Sequence, residues 1–552
     1  MKDVKSIFKH SGAGTGFYFS FDRSSCDIPD TASEVSYRSD DYGYFKGKGD
    51  RMKIRKKENA SVTVTLCLTI VVTAALIFSL AEAARFYGVK EDAAEWSHLA
   101  AESLAAGYQP YLSKKYDLFL LDGSFLGEEF DTDALEAEMD ALLAYNVLSV
   151  TEKEGINLYR MQKAESEITD YVLLTDDDGR VFMSQTAKIM KKTIGQRAAE
   201  KILEKVNTIQ SKQTTGGDPE TSMSTAKQTL EDLKKEPEIS VQEEKKKSSP
   251  LRKGENTEKS SETTDPFQSI QSMKDADGIL GLVVPDGQAV SAKTISLEDC
   301  LLKRDCEKGT CKKSGKGGWY ERILMQEFLK PEIGNFIEPA EDAVLSYGTE
   351  YLIAGNESDE KNLKETVNKL LLLRETLNFL YLQQDKAKNA EAEVLAATLA
   401  GATANPAIIE LVHQGILAAW AYAESVCDVR TLLAKGQVPL MKDAAVWKTQ
   451  LSNLGEAATM PADDKTSGLS YQEYLDALLY TQSTKKIAYR GMDLMEQSMR
   501  HEEKYAKCRM DHMITEFHAD MTYEADTLFL GLFGEDLAGS YQFLEKTGYA
   551  YQ

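Results

Sequence analysis

The stretch NASVTVTLCLTIVVTAALIFSLA, residues 59–81, decides the fold class of this chain. Its 23 residues carry no charge, and a helix of that length spans the roughly 30 Å hydrocarbon layer of a bilayer. The basic cluster KIRKK, residues 53–57, directly precedes it. Because positive residues stay on the cytoplasmic side, we predict a cytoplasmic tail over residues 1–58 and a transmembrane helix over residues 59–83. The remaining 469 residues of the chain would lie outside.

A cleavable secretory signal is the alternative interpretation of this segment. Ala81-Glu82-Ala83 has the small-x-small pattern that signal peptidase cuts, and cleavage near Ala83 would make the protein secreted. The apolar run is longer than the roughly 7–15 residues of a signal h-region, which favours an uncleaved anchor. The segment before Met52 has no apolar period, so Met52 is an alternative start.

The part outside the membrane is strongly acidic. The net charge of −23 is uneven, because residues 1–57 carry 12 basic and 8 acidic side chains and the rest therefore carries −27. Such a surface repels phosphate backbones, so we predict no nucleic acid among the partners. A hydrophobic content of 42% permits real cores. The lipid bilayer is the partner that the composition itself predicts.

We predict that the membrane helix continues outside and packs on a small sheet. Residues 82–108 are rich in Ala and contain no Pro, so the helix should run on to Pro110. Short strands are predicted over residues 116–121, 156–174 and 517–525. The last is the clearest, because apolar and polar side chains alternate along it with the period of a half-buried strand.

A helical bundle is predicted between the strands. Residues 363–383 are apolar nearly all round, as in a buried helix. Asn405 and Pro406 supply the N-cap and first turn of a helix that reaches about Lys435 and ends at Gly436. Ser470 and Glu473 form a capping box that starts another helix.

The predicted fold class is α+β, with one N-terminal transmembrane helix extended outside the membrane onto a small antiparallel sheet and with an inserted all-α domain. The predicted divisions of the outer part are a juxtamembrane helix with the first part of the α+β domain over 84–206, a disordered linker over 207–265, an irregular cysteine-containing region over 266–319, the helical domain over 320–509, and C-terminal strands over 510–552. The linker follows from a composition crowded with Lys, Glu, Ser, Thr and Gln.

Motifs of catalysis and of cofactor binding fail on spacing. The glycines between residues 309 and 317 do not match a phosphate loop. Asp176-Asp-Asp-Gly179 lacks the alternation of a calcium loop and predicts a turn between a strand and a helix. His512 and Glu516 are four apart, a spacing without meaning if they lie on a strand. We therefore predict no catalytic residue, no metal and no cofactor.

Three cysteines cluster in a loop rich in Lys, Asp and Gly. Cys300, Cys306 and Cys311 lack a fourth Cys or His nearby, so they make a poor zinc site. A local disulfide between two of them and three reduced thiols are the two alternatives.

Four small hydroxyl residues recur every four positions in the membrane helix. Ser61, Thr65, Thr69 and Thr73 therefore share one side of it. One interpretation is that each hydroxyl binds the backbone carbonyl four residues back. The other is a polar seam that packs against a second membrane helix.

The chain also resembles known families. Ser61-Val-Thr-Val-Thr65, the apolar run and Ser79-Leu-Ala-Glu-Ala-Ala-Arg85 resemble TadE/TadG-like pseudopilin proteins of tight-adherence (Flp) pilus systems, in which Glu-x-x-Arg follows the membrane helix. Glu82 and Arg85 occupy that post-membrane motif. The stretches YDLFLLD at 116–122, NLKETVNKLLLLR at 362–374, AWAYAESV at 419–426 and VPL at 438–440 further resemble an uncharacterised domain family of Gram-positive bacteria.

The resemblance implies a non-enzymatic accessory or minor pseudopilin-like subunit of a tight-adherence pilus or secretion assembly, with other membrane subunits as partners. The chain departs from pilins because Glu82 lies at the far end of the apolar run and no glutamate lies early in it. The resemblance therefore does not extend to polymerisation into a shaft. The alternatives are a free-standing ligand-binding surface protein and a membrane-anchored extracellular hydrolase.

Overall fold

The structure, a computed structural model, describes residues 59–151, 157–235, 265–275, 278–311, 317–462, 467–533 and 539–551. The predicted cytoplasmic tail lies outside these residues. The chain divides into two compact units, Met1–Ile70 and Val71–Gln552. In the first unit, the described residues are all helical.

The first helix, α1, covers Asn59–Ala105 and is 47 residues long. It is the one helix of the described chain that is long and apolar enough to cross a membrane, and its apolar window is not buried. It ends four residues before Gln109, where we predicted its end. A short helix α2, Pro110–Tyr116, follows at once, because the Gln109 side chain accepts a hydrogen bond from the Tyr111 amide and Pro110 fits the first helical turn.

In the described part of the chain, the sheet has four antiparallel strands, three of which pair with one central strand. They are β1 (Leu121–Asp122), β2 (Met161–Leu173), β3 (Met513–Asp526) and β4 (Ser540–Ala550). β3 pairs with β2 along one edge and with both β1 and β4 along the other. The predicted pairing of early and late parts of the chain is therefore confirmed.

The predicted strand over 517–525 is also confirmed. Phe517, Met521 and Tyr523 are buried, whereas His518 and Thr522 are exposed. The buried face packs against α1 and against α3, Thr132–Thr151, in a core of its own.

Two carboxylates of α3 bind the outer edge of β2. Asp140 Oδ1 accepts from the Ser166 amide at 2.6 Å, and Glu136 Oε1 accepts from the Ile168 amide at 2.8 Å. These acceptors occupy amide groups that an unprotected sheet edge would offer to another chain.

The other strand predictions need correction. Residues 116–121 are not a strand, because Tyr116 ends α2 and Asp117 adopts a left-handed conformation with φ 57°. Only Leu121 of that stretch pairs in the sheet. The stretch 156–174, for which one or two strands were predicted, contains the single strand β2, and β4 lies in the region 510–552 where C-terminal strands were predicted without bounds of its own.

Among the described residues, twelve further helices form the larger core. They are α4 (Asp176–Met190), α5 (Gln196–Thr215), α6 (Pro219–Lys235), α7 (Pro266–Asp275), α8 (Gly278–Val283), α9 (Trp319–Ile333), α10 (Gly348–Ala354), α11 (Asp359–Gln384), α12 (Lys386–Ala400), α13 (Pro406–Leu433), α14 (Tyr471–Thr481) and α15 (Thr484–Arg500). This core extends beyond the predicted limits 320–509, since it includes residues from α2 and from α4 to α7.

Several local predictions in this core are confirmed. Residues 363–383 lie in the buried α11. Asn405 caps α13, and Ser470 with Glu473 forms the capping box of α14. The end of α13 differs, because Lys435 and not Gly436 takes the left-handed conformation, with φ 66°.

The predicted disordered linker is wrong for residues 207–235. α5 and α6 occupy this segment and bury Ile209, Met223, Ala226 and Leu230. α6 lies so close to α13 that a Cβ atom at Gly415 would overlap that of Ala226. The composition concealed a regular apolar face. Residues 236–264 lie outside the described residues, and the region 266–319 is not wholly irregular, since it contains α7 and α8.

Candidate functional site

A buried ion pair attaches α1 to the sheet. Glu82 lies on α1 and is 2% exposed. Arg85, one helical turn later, donates to its Oε1 from Nη2 at 2.6 Å and from Nε at 3.0 Å. Both residues were predicted as a motif, and the structure brings them into direct contact.

Backbone groups from two distant segments complete this site. The Glu82 carboxylate accepts from the Leu528 amide at 3.1 Å and from the Phe529 amide at 2.5 Å. Arg85 donates to the carbonyl oxygens of Leu158 (2.9 Å), Tyr159 (3.0 Å) and Asp526 (2.7 Å). We call Glu82, Arg85 and these five backbone groups the clamp.

The clamp satisfies both charges where water is largely excluded. A charge-assisted hydrogen bond is about twice as strong as a neutral one. Removal of Glu82 or of Arg85 would leave the other charge buried without its partner. Because its backbone groups lie before β2 and after β3, the clamp holds α1 against both strands. The sequence showed no sign of these backbone partners, since they lie about 75 and 445 residues from the ion pair.

The predicted seam also lies on α1. Ser61 is part of α1, and its side chain lies outside the described part of the structure. Thr65 and Thr73 are exposed, and the Thr69 hydroxyl donates to the Leu66 carbonyl at 2.8 Å. This bond runs three residues back rather than four. It favours the backbone-bonded interpretation at Thr69, and the packing role of the seam stays a prediction.

The three clustered cysteines are thiols, and the described residues contain no disulfide. The structure therefore shows the reduced alternative, and a disulfide stays a prediction. The Cys300 thiol donates to the Ser296 carbonyl and the Cys306 thiol to the Leu301 carbonyl, at 3.5 and 3.4 Å. Burial raises the pKa of both thiols to about 11. They are therefore protonated at neutral pH, and a protonated thiol is a poor nucleophile.

Arg304 fixes the cysteine loop to the helices and to the sheet. Its guanidinium makes two 2.7 Å bonds to the carboxylate of Glu496 on α15 and also binds Asp511, just before β3. Both carboxylates are buried. The loop therefore serves as a packed connection between the two cores.

A cavity of about 720 Å³ lies between this loop, the start of α4 and α15. Asp176 lines it, but its Oδ2 accepts from the Leu173 amide and its Oδ1 from the Gly309 amide. Asp177 and Asp178 form the predicted turn, with φ 53° and 54°. No group of three or more His, Cys, Asp or Glu side chains suited to a metal ion occurs among the described residues.

A buried charge network lies inside the helical core, and sequence reasoning missed it. Arg374 on α11 is fully buried. Its guanidinium donates to the Asp428 carboxylate (3.0 Å), the Asn378 side chain (3.1 Å), the Tyr474 hydroxyl (2.9 Å) and the carbonyl oxygens of Pro439 (3.1 Å) and Leu440 (3.0 Å). These contacts join α11, α13 and α14 to the segment after α13.

Lys442 extends the network. Its ammonium binds Asp428 at 2.5 Å and also binds Glu424, both on α13. Burial alone would raise the pKa of Asp428, but Lys442 and Arg374 hold it below its usual value. Every charge here has a partner, which is typical of a structural rather than a catalytic cluster.

A second cavity, of about 450 Å³, contains a carboxyl group without a full set of partners. Glu375 on α11 is 5% exposed, and its Oε1 has no hydrogen-bond partner. Lys274, Glu220 and Tyr422 share the lining of this cavity. Burial raises the pKa of Glu375 to about 8, and Lys274 only partly opposes this effect.

The Glu375→Gln variant is expected to flatten the pH dependence of stability between about pH 5 and pH 8. The folded carboxyl holds its proton up to about pH 8, whereas the unfolded one loses it near pH 4.3. Glu350 and Asp493 also have raised pKa values and contribute to the slope in both proteins. The wild type should therefore lose up to about 1.4 kcal/mol more unfolding free energy per pH unit than the variant across this window. Urea unfolding of the full chain in detergent at several pH values measures this.

Glu357→Gln is the matched control for that experiment. Its hydrogen bond from Lys361 lowers the pKa of the exposed Glu357 carboxylate, away from the window. The slope should therefore stay as in the wild type. Equal slopes for Glu375→Gln and wild type would show that Glu375 is ionised in the folded protein.

Comparison with known families finds one match. Residues 256–525 match the model of DUF5702, a family of unknown function. Comparisons with curated proteins and with solved structures find no match. The matched part holds the cysteine loop, the Arg374 network and most of β3, and it agrees with the resemblance to an uncharacterised domain family. The charged pair of the clamp and the seam lie outside it.

Proposed function

We propose that this chain is a single-pass, membrane-anchored and non-enzymatic accessory or minor subunit of a tight-adherence pilus or secretion assembly, with most of the chain outside the membrane. The observation that carries the proposal is the clamp. An anchored enzyme needs only a flexible tether, whereas a subunit of an assembly needs its outer domain held firmly to the helix that leaves the membrane. Glu82 and Arg85 provide such a hold.

The position of the clamp supports a membrane anchor. Glu82 directly follows the uncharged run 59–81. A carboxylate at the edge of the hydrocarbon layer is costly unless it is paired. Arg85 and two backbone amides pair it in full.

The resemblance to TadE/TadG-like proteins supports the assembly role. The Glu-x-x-Arg motif that carries this resemblance supplies both charged members of the clamp. The absence of a glutamate early in the apolar run favours an accessory position over a place in the shaft. Packing between membrane helices through the seam is the proposed route of association.

Replacing Ser61, Thr65, Thr69 and Thr73 together by Leu is expected to abolish crosslinking to a partner in native membranes. Leu is too bulky for the close backbone approach that small residues allow. One interhelical hydrogen bond contributes only about 0.6 kcal/mol in a membrane, so the fourfold variant is needed. The measurement is crosslinking in intact cells followed by identification of the attached protein.

Small residues on the opposite side of α1 provide the control. Thr63, Cys67 and Ala74 lie on that side at about 100° per residue, and their joint replacement by Leu should keep the partner. Protease added to intact protoplasts should remove the outer part of both variants. A fourfold variant that keeps its partner would argue against the assembly role.

Ligand binding is the second candidate function, and the Glu375 cavity is the observation that favours it. A buried carboxyl group with a free acceptor atom can receive a hydrogen bond from a ligand. The hydrolase alternative can use the same cavity, because Glu220 and Glu365 also line it and a carboxyl group with a raised pKa beside a second carboxylate can act as a general acid. Ligand binding and hydrolysis both stay open as alternatives.

A further inference from the structure

An apolar loop follows the central strand of the sheet. The sequence Thr527-Leu-Phe-Leu-Gly-Leu-Phe533 contains no charge. Its last four residues, Leu530–Phe533, form a short helical turn. Leu528, Phe529 and Leu530 are each partly exposed. Such a run on a loop leaves apolar surface in contact with the surroundings.

This loop lies at the level of the outer end of the apolar run. The ring of Phe529 stacks on that of Phe78 in α1, with 6.0 Å between the centroids. The amides of Leu528 and Phe529 bind Glu82, one turn further along α1. Phe78 lies within the predicted span 59–83, about 8 Å from its outer end at the helical rise per residue.

Further aromatic side chains lie about two helical turns outward from Phe78 along α1. Phe86 on α1 packs against Tyr541 at the start of β4, with 4.7 Å between the ring centroids. Tyr87 is 72% exposed. Aromatic side chains concentrate where a membrane protein meets the headgroup layer, which is where these would lie if residues 59–81 span the bilayer.

We propose that the side chains of Leu528, Phe529 and Leu530 enter the outer leaflet beside α1 and contact lipid acyl chains, so that the protein has a second membrane contact besides its span. This inference rests on the proposed membrane anchoring. Lipid is the occupant because the loop continues the apolar surface of α1 through the Phe78–Phe529 contact. The backbone amides of Leu528 and Phe529 donate hydrogen bonds to Glu82, so the loop can contact lipid without leaving these two donors unpaired.

A second contact would restrict the anchor. A lone helix can rotate about its axis and change its tilt in the bilayer. A loop held to one side of α1 by the clamp would select the rotation at which it faces lipid. The clamp would therefore also fix the orientation of the outer domain relative to the membrane.

Photocrosslinking to lipid tests this proposal. The full chain is placed in nanodiscs of phosphatidylcholine and phosphatidylglycerol, with a photoreactive phenylalanine analogue at position 530. The same analogue is placed at Leu80, an exposed residue of the apolar run, and at Val394, an exposed residue of α12. Lipid adducts are measured by mass spectrometry, and circular dichroism checks that each variant folds.

The expected result is a lipid adduct at position 530 with a yield comparable to that at position 80. No adduct is expected at position 394. An adduct at 80 without one at 530 would overturn the second contact and leave the membrane anchor intact. Equal yields at 530 and 394 would also overturn it, because capture would then not be local. No adduct at 80 would refute the anchor itself, and the inference with it.

Discussion

Arg374→Met is expected to lower the free energy of unfolding by about 3–5 kcal/mol. Loss of one partner from a buried ion pair leaves an uncompensated charge, and this range is typical of that change. Here the substitution also removes the guanidinium group that donates hydrogen bonds to the carbonyl oxygens of Pro439 and Leu440. Denaturant unfolding of the full chain in detergent, followed by tryptophan fluorescence, measures the loss.

The ion pair of Lys485 with Asp178 is the matched control for Arg374. It has a similar distance, 2.7 Å, but both side chains are substantially exposed. Lys485→Met should change stability by about 0–1 kcal/mol, because water solvates the carboxylate that remains. A loss of that small size for Arg374→Met would mean that the network is solvated.

Glu82→Ala is expected to free the segment after β3 from α1 without unfolding the helical core, while the apolar contacts of Ala93, Ala100 and Leu104 still hold α1 on the sheet. The change leaves Arg85 unpaired and removes the acceptor of the Leu528 and Phe529 amides. A loss of about 3 kcal/mol in the clamp corresponds to about 100-fold faster exchange of those amides. Hydrogen–deuterium exchange with mass spectrometry of the segment after β3 reads this directly.

Two further variants make the clamp experiment specific. Lys90→Ala removes a partly exposed and long ion pair, 3.7 Å, between the same helix and Glu545 and should leave exchange after β3 unchanged. Arg85→Ala should resemble Glu82→Ala, because it strands the other charge. Unchanged exchange in both clamp variants would show that the apolar contacts between α1 and the sheet are enough to hold this segment without the clamp.

The parts of the fold that sequence predicts are those with a local signal. The uncharged run, the alternation along β3 and the caps at Asn405 and Ser470 each lie within a few residues, and each was located correctly. β4 has a weaker local signal, with Tyr541 and Phe543 alternating with polar residues, and it could have been found. The segment 207–235 failed because an average over composition hides a helical period.

The candidate sites resisted prediction for a different reason. The partners of Arg374 and of Glu82 come from distant parts of the chain, and an acidic sequence offers many carboxylates for every cation. The spacing of residues in the sequence does not show which carboxylate contacts which cation in the fold. Glu82 and Arg85 were found only through a resemblance, and that resemblance does not name the amides at Leu528 and Phe529. Only a buried charge needs a partner, and burial of a charged side chain is known only once the fold is known.

The place of β3 in the sheet sets an order of events during synthesis. β2 emerges early, but its central partner follows about 340 residues later. Until β3 is made, the apolar faces of α1, α3 and β2 lack the central strand against which they pack. Helices of the larger core can already pack together. Closing so long a loop is slow, and exposed edges aggregate while it is open. A chain truncated before residue 513 should therefore keep much of its helical content and yet depend on chaperones for solubility.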